Sequence, residues 1–118
     1  MNYNVKNTGV FSRQAKRLKK KFPSLKHELA ELEQQLKDNP HSGISLGHNT
    51  YKIRIGVKSK GKGKSGGIRV ITYVIDSLNN VYLLAIFDKS EIENIEDNLI
   101  LHLTKQIDAE NKILKPKF

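Results

Sequence analysis

Cations are the residues of this chain whose type and spacing can do chemistry. From Tyr51 to Lys58 the sequence alternates, with Tyr51, Ile53, Ile55 and Val57 on one side of an extended segment and Lys52, Arg54, Gly56 and Lys58 on the other. One face of such a strand is apolar and the other cationic. Lys60, Lys62 and Lys64 follow on a glycine-loosened loop and Arg69 opens the next apolar run, so Lys52 to Arg69 holds seven basic residues and no acidic one. Arginine offers a phosphate a planar bidentate fork and a fixed charge. Lys52, crowded by Arg54 and Lys58, is a candidate base or acid because like charges disfavour the protonated form. The chemistry this pattern fits is the grip on a polyanion, where each neutralised phosphate releases counterions. The structural alternatives are a solvated strand face for Lys52 and Arg54, and a tie for the neighbouring loop in the case of Arg69.

The rest of the charge supports a polyanion surface. The 118 residues include 21 Lys and Arg against 12 Asp and Glu, a net charge of +9. A second basic block, Arg13 to Lys26, again has seven cations (Arg13, Lys16, Arg17, Lys19, Lys20, Lys21 and Lys26) and no acid, so the chain outside the two blocks carries −5. Acids gather in Glu28 to Asp38 and Asp88 to Glu110. The absence of cysteine excludes a disulfide scaffold, a thiolate nucleophile and a zinc site built on sulfur. His27, His41, His48 and His102 show no ligand spacing, so neither a metal nor another cofactor is expected. Gly56 to Gly63 nearly spells a phosphate-binding loop, but Gly63 stands where a magnesium-binding Ser or Thr is needed, and the sequence beyond reads as strand instead of helix. No run approaches the roughly 20 apolar residues of a membrane helix. Met1 to Lys6 lacks the apolar core of a signal peptide, so a cytoplasmic location is expected.

These cations need elements to position them. Phe11, Ala15, Leu18 and Phe22 recur at helical spacing after Ser12 as a candidate cap, and Pro23 ends that helix. Ser24 can cap a second helix carrying Leu25, Leu29, Leu32 and Leu36, which Asp38-Asn39-Pro40 stops. Neither stripe can bury itself alone, so both require a sheet. Tyr3 to Lys6 can open that sheet, and Tyr51 to Lys58, Arg69 to Asp76 and Val81 to Phe87 supply three further strands, with His41 to Thr50 and Ser77 to Asn80 as turns. Ser90-Glu91-Ile92-Glu93 fits a capping box before Ile92, Ile95, Leu99, Leu103 and Ile107. The layout is α+β, βααβββα, in one domain over residues 1–110 with a basic tail at 111–118. Asp88 stands where it can orient a lysine or simply occupy a helix terminus.

With the alternating basic strand, the loop from Lys58 to Gly67, the strand opening Ile68-Arg69-Val70-Ile71 and Lys89 after the last strand, the chain resembles the RelE/HigB superfamily of bacterial toxins, most closely its HigB-type branch. The resemblance spans Phe11 to Glu91. It implies a microbial-ribonuclease type of fold, with an antiparallel sheet packed by two N-terminal helices and a C-terminal helix. It further implies a ribosome-dependent, metal-independent mRNA endoribonuclease that acts as a monomer on translated mRNA and is neutralised by a cognate antitoxin. Lys52, Arg54, Arg69 and Lys89 match the family's catalytic positions. Lys58, Lys60, Lys62 and Lys64, with Arg13, Lys16, Arg17 and Lys20, then suit binding to RNA or ribosome phosphates. The tyrosine that some members carry after the last basic residue has no counterpart in Ile92 to Glu96, and Phe87 ends the strand where others have tyrosine. A non-catalytic RNA- or ribosome-binding protein, or a binder of an acidic protein, would use the same basic face.

Overall fold

A computed structural model describes residues 2–60 and 67–112. The elements run β1 (Asn4–Asn7), α1 (Gly9–Lys21), α2 (Leu25–Asp38), β2 (Ile44–Gly47), β3 (Thr50–Ile55), β4 (Ile68–Ile75), β5 (Asn80–Asp88) and α3 (Asp97–Glu110). This is the α+β order read from the sequence, with a short strand and a helix pair first, hairpinned strands in the middle and a helix last. Residues 113–118 of the expected tail lie outside the described residues.

Two strands alter the expected sheet. The turn from His41 to Thr50 contains β2, a short exposed edge strand paired antiparallel with β3. Gly43 leads into it at φ +100°, where an added Cβ would lie 2.5 Å from the carbonyl oxygen of Lys52, so only glycine lets the chain pass so close to β3. At the other edge β1 runs parallel to β5, so the sheet, expected to be antiparallel, is mixed, with strand order β1-β5-β4-β3-β2. Its start is held by the Asn4 amide donating to the carbonyl of Asn79 at 2.8 Å. The Thr8 hydroxyl donates to the Leu83 carbonyl at 2.9 Å where the strand ends.

The helix starts also differ from expectation, each for a local reason. Thr8, not Ser12, caps α1: its backbone is extended and its hydroxyl oxygen accepts from the Phe11 amide at 3.2 Å. Ser24 does precede α2, but its own dihedrals are helical and its hydroxyl donates to Glu28 at 2.9 Å. The capping box at Ser90 does not form. The Ser90 amide and hydroxyl both donate to Oδ1 of Asp88, at 2.9 and 2.7 Å, which leaves that hydroxyl facing back toward β5, and α3 begins only at Asp97.

The sheet separates two apolar clusters. Under the helix pair, Phe11, Leu18, Leu25 and Leu36 pack on Ile53, Ile55, Val70, Val74 and Val81. On the opposite face, Ile100, Leu103 and Ile107 of α3 join Ile71, Tyr73, Leu84 and Phe87. Strand alternation assigns each residue of β3, β4 and β5 to a face with one irregularity. Ile71 pairs with Ala85 and Thr72 with Leu83, so Leu84 is an extra residue, a bulge, and both Leu84 and Ala85 belong to the α3-side cluster. Beyond the bulge, Ile86 faces the helix pair, Phe87 faces α3, and alternation turns Asp88 back toward the helix pair.

Candidate functional site

Because Ile53 and Ile55 are committed to the helix-pair core, Lys52 and Arg54 of β3 lie on the α3 side of the sheet. The β3–β4 ladder sets Arg54 directly opposite Arg69, and the β4–β5 ladder sets Arg69 opposite Phe87. Lys52 occupies the next row, opposite Ile71. Lys89 extends the β4–β5 ladder by one step, its amide donating to the Gly67 carbonyl at 3.5 Å, and alternation carries it to the same face as Phe87. The structure thus brings the four sequence-predicted residues Lys52, Arg54, Arg69 and Lys89 onto one side of three adjacent strands.

Their environments differ. Arg54 and Lys89 are exposed, Lys52 is half-buried, and Arg69 retains only 4% of its accessible surface. Burial, with the like charge of Arg54 as a second cause, lowers the pKa of Arg69. An arginine still keeps its charge under any physiological condition. A buried guanidinium beside an exposed one is a fixed source of positive potential, felt more strongly for being away from water.

The other predicted phosphate-binding residues are dispersed. Arg13, Lys16, Arg17 and Lys20 are exposed or nearly so on the outside of α1, which packs on the opposite face of the sheet. That stripe reaches the site at one point, where Arg17 grips Glu91 in a two-pronged contact of 3.1 and 3.3 Å, two residues beyond Lys89. Lys58 is exposed and its amide donates to Glu28 at 2.8 Å. Lys62 and Lys64 lie outside the described residues.

Lys60 is put to a different use. Its ammonium sits 3.0 Å from Asp88 on the helix-pair side of the sheet, with side-chain exposures of 9% for the lysine and 0% for the aspartate. It is also 5.0 Å from the centre of the Phe22 ring, a cation–π distance. Sequence reasoning grouped Lys60 with its lysine neighbours, because nothing in the local pattern marks it as paired with a carboxylate 28 residues away. The one available signal was Asp88-x-Ser90, a spacing at which an aspartate side chain commonly folds back on the backbone.

Burial works against the charge on Asp88, but the hydrogen bonds from Ser90 and the Lys60 ammonium outweigh it and hold the carboxyl below the ordinary carboxylate range. A group depressed in the folded state stabilises fully above its unfolded pKa, and that contribution is lost as pH falls through the folded value. Denaturant unfolding between pH 7 and 3 should therefore lose stability more steeply below about pH 4 in the wild type than in Asp88→Asn. Parallel slopes would mean that Asp88 does not carry this dependence.

A separate cluster lies where β4 ends. The Tyr3 hydroxyl donates to Asp76 at 2.7 Å, and Nε2 of His41 is 2.9 Å from the same carboxylate. The Tyr3 hydrogen bond, opposed by burial and assisted by His41, keeps Asp76 below its usual value. This group fastens β1 and the chain after α2 to the end of β4, and it shares no residue with the cationic rows.

No family model matches the chain. Among solved structures it is similar to a double-mutant form of E. coli toxin RelE in the free state, with a TM-score of 0.59 and 18% identity over 91% of this chain and 99% of that one. The isolated E. coli RelE toxin gives 0.57 and 15%, covering 89% and 98%. The toxin–antitoxin complex RelBE2 from Mycobacterium tuberculosis gives 0.55 and 17%, covering 75% of this chain and 99% of the matched one. Similarity at this level of identity is a likeness of fold, and across nearly the whole length of those chains the protein has the fold of the RelE toxins.

Proposed function

We propose that the protein is the toxin of a type II toxin–antitoxin pair, of the HigB-like branch, and that it cuts translated mRNA as a ribosome-dependent, metal-independent endoribonuclease. The observation that carries this reading is the ladder that sets Arg54 opposite Arg69 with Lys52 and Lys89 on the same face. Like charges directly opposite each other weaken a sheet. Their convergence gains a purpose when a phosphate lies between them.

Cleavage of this kind uses the RNA's own 2′-OH as nucleophile. The 2′-oxygen attacks the adjacent phosphorus, the bond to the 5′-oxygen breaks, and a proton passes from the first oxygen to the second through protein groups. Three tasks follow: accept the 2′-proton, stabilise the extra negative charge on the phosphate, and protonate the departing 5′-oxygen. Arg69, with Arg54 across the ladder, suits the second task. Lys52 and Lys89 are the candidates for the two proton transfers. With phenylalanine at position 87, the strand end supplies no phenol for that role. A site built from cations, with modest intrinsic chemistry, suits an enzyme whose substrate is arranged by the ribosome. The exposed α1 stripe and Lys58 would hold ribosomal or messenger phosphates in a sequence-independent way.

The expected partners are ribosome-bound mRNA and a cognate antitoxin, the latter supported by the likeness to a chain from a toxin–antitoxin complex. An acidic or amphipathic antitoxin segment would lie across the cationic rows. The free toxin is expected to be a cytoplasmic monomer.

Among the described residues this face offers mainly lysine, arginine and buried tyrosine, which favours one rival, a protein that binds RNA or ribosome without cutting. Mapping the 5′ ends of mRNA after induction separates the two. New ends within translated messages are expected, absent in a strain producing the Lys52→Ala/Lys89→Ala variant. Growth arrest without new ends would establish the binder.

A further inference from the structure

The Asp88 carboxylate faces the helix pair, while the residues proposed to handle RNA face the other way. It nevertheless touches both chain segments that enter the site. Oδ1 accepts from the Ser90 amide at 2.9 Å and the Ser90 hydroxyl at 2.7 Å, so the backbone immediately after Lys89 is pinned to it. Oδ2 accepts from Lys60 Nζ at 3.1 Å, and the same ammonium reaches the Ser90 hydroxyl at 3.4 Å. The Asp88 carbonyl accepts from the amides of Glu91 and Ile92, at 2.9 and 3.0 Å. The far side of the Lys60 turn is held in turn: the Ser59 amide donates to Ser24 at 2.9 Å, and the Lys58 amide donates to Glu28. Three segments distant in sequence, the end of β5, the 58–60 turn and the start of α2, are joined through one fully enclosed carboxylate and its neighbours.

We propose that Asp88 is a positioning residue for the site on the opposite face: it fixes the backbone that projects Lys89 relative to Arg54 and Arg69. This rests on the ribonuclease reading for its consequence, but the geometry stands by itself. Lys89 follows Asp88, the last residue of the β4–β5 register, and there the ladder contributes one long bond, from the Lys89 amide to the Gly67 carbonyl at 3.5 Å, so the turn gathered on Asp88 does most to set its direction. With Ser90 and the next two amides gathered onto Asp88, the strand ends in a rigid turn. Arg54 on β3 and Arg13, Lys16 and Lys20 on α1, which would hold RNA phosphates, owe nothing to this arrangement. The loss of Asp88 should therefore be felt in the chemical step and not in binding, since displacement of a reacting group by about 1 Å can cost on the order of 10²-fold in rate.

The test compares wild type, Asp88→Ala and Asp88→Ala/Lys60→Met on ribosomes programmed with a defined mRNA, with amide hydrogen exchange measured on each protein alone. Asp88→Ala should lower kcat by roughly 30–100-fold at unchanged KM. It should also speed exchange of the Glu91 and Ile92 amides at least about tenfold, while the amides of β4 keep their protection. The double variant removes the stranded ammonium and should regain thermal stability while kcat stays low. Recovery of kcat together with stability would make the ion pair a purely structural feature and overturn the proposal, as would a rise in KM at constant kcat. If the wild type itself fails to cut, the ribonuclease reading falls. Exchange then still decides the positioning claim, because unaltered Glu91 and Ile92 amides in Asp88→Ala would refute it.

Discussion

Replacing Arg69 with lysine should lower cleavage of ribosome-bound mRNA about 10²–10³-fold, the usual effect of losing one preorganised donor to a developing oxyanion, while the protein melts at an unchanged temperature. The substitution keeps the charge and most of the apolar stem but replaces a rigid planar fork with a single rotating ammonium. Arg69 is the buried member of the Arg54–Arg69 pair, so its fork is held in place before any substrate arrives. Cleavage within about threefold of wild type would remove the bidentate role. A loss of activity that follows a fall in melting temperature would make Arg69 a structural residue.

The second large effect is on stability. Lys60→Ala should cost about 3–5 kcal/mol, the range for removing one partner of a buried ion pair, because it leaves the Asp88 carboxylate with no countercharge in a place water does not reach. The reverse deletion should be milder. A lysine on a flexible four-carbon stem, still 9% exposed, can swing its ammonium toward solvent, whereas the aspartate is fully enclosed on a strand and cannot. Equilibrium unfolding in denaturant measures both. Equal losses would mean that Lys60 is as confined as its partner, and a loss below about 1 kcal/mol for Lys60→Ala would place the pair in effect at the surface.

These two residues also mark where the sequence was legible and where it was not. Periodicity located the three long strands to within a few residues, because pairs such as Ile53 and Ile55 in β3 and Val81 and Leu83 in β5 repeat at the spacing of two that one face of a strand presents to a core. The alternation in Lys52-Ile53-Arg54 gave the cationic face directly. β2 escaped because Ile44-Ser45-Leu46-Gly47 is short and exposed along its whole length, so no burial pattern was imprinted on it. The start of α3 was misread because a capping serine and a serine that folds back onto a preceding aspartate look alike until the acceptor is known. Lys60 differs from Lys58 only through Asp88 and Phe22, and no local spacing encodes partners so far away in the chain. Thr8 was overlooked as a cap because the apolar stripe of α1 starts at Phe11, later than the helix itself.

The extra residue at Leu84 gives β5 a slack that its neighbours lack. In β3 or β4, loss of one codon reverses the facing of every residue beyond it, turning core side chains out and charged ones in. In β5 the codon for Leu84 can be lost and the ladder can close as a regular pair, with Phe87 still toward α3 and Asp88 still toward the helices. The strand that ends at the proposed site is thus one through which the gene can change length by a single residue without inverting the surface it presents.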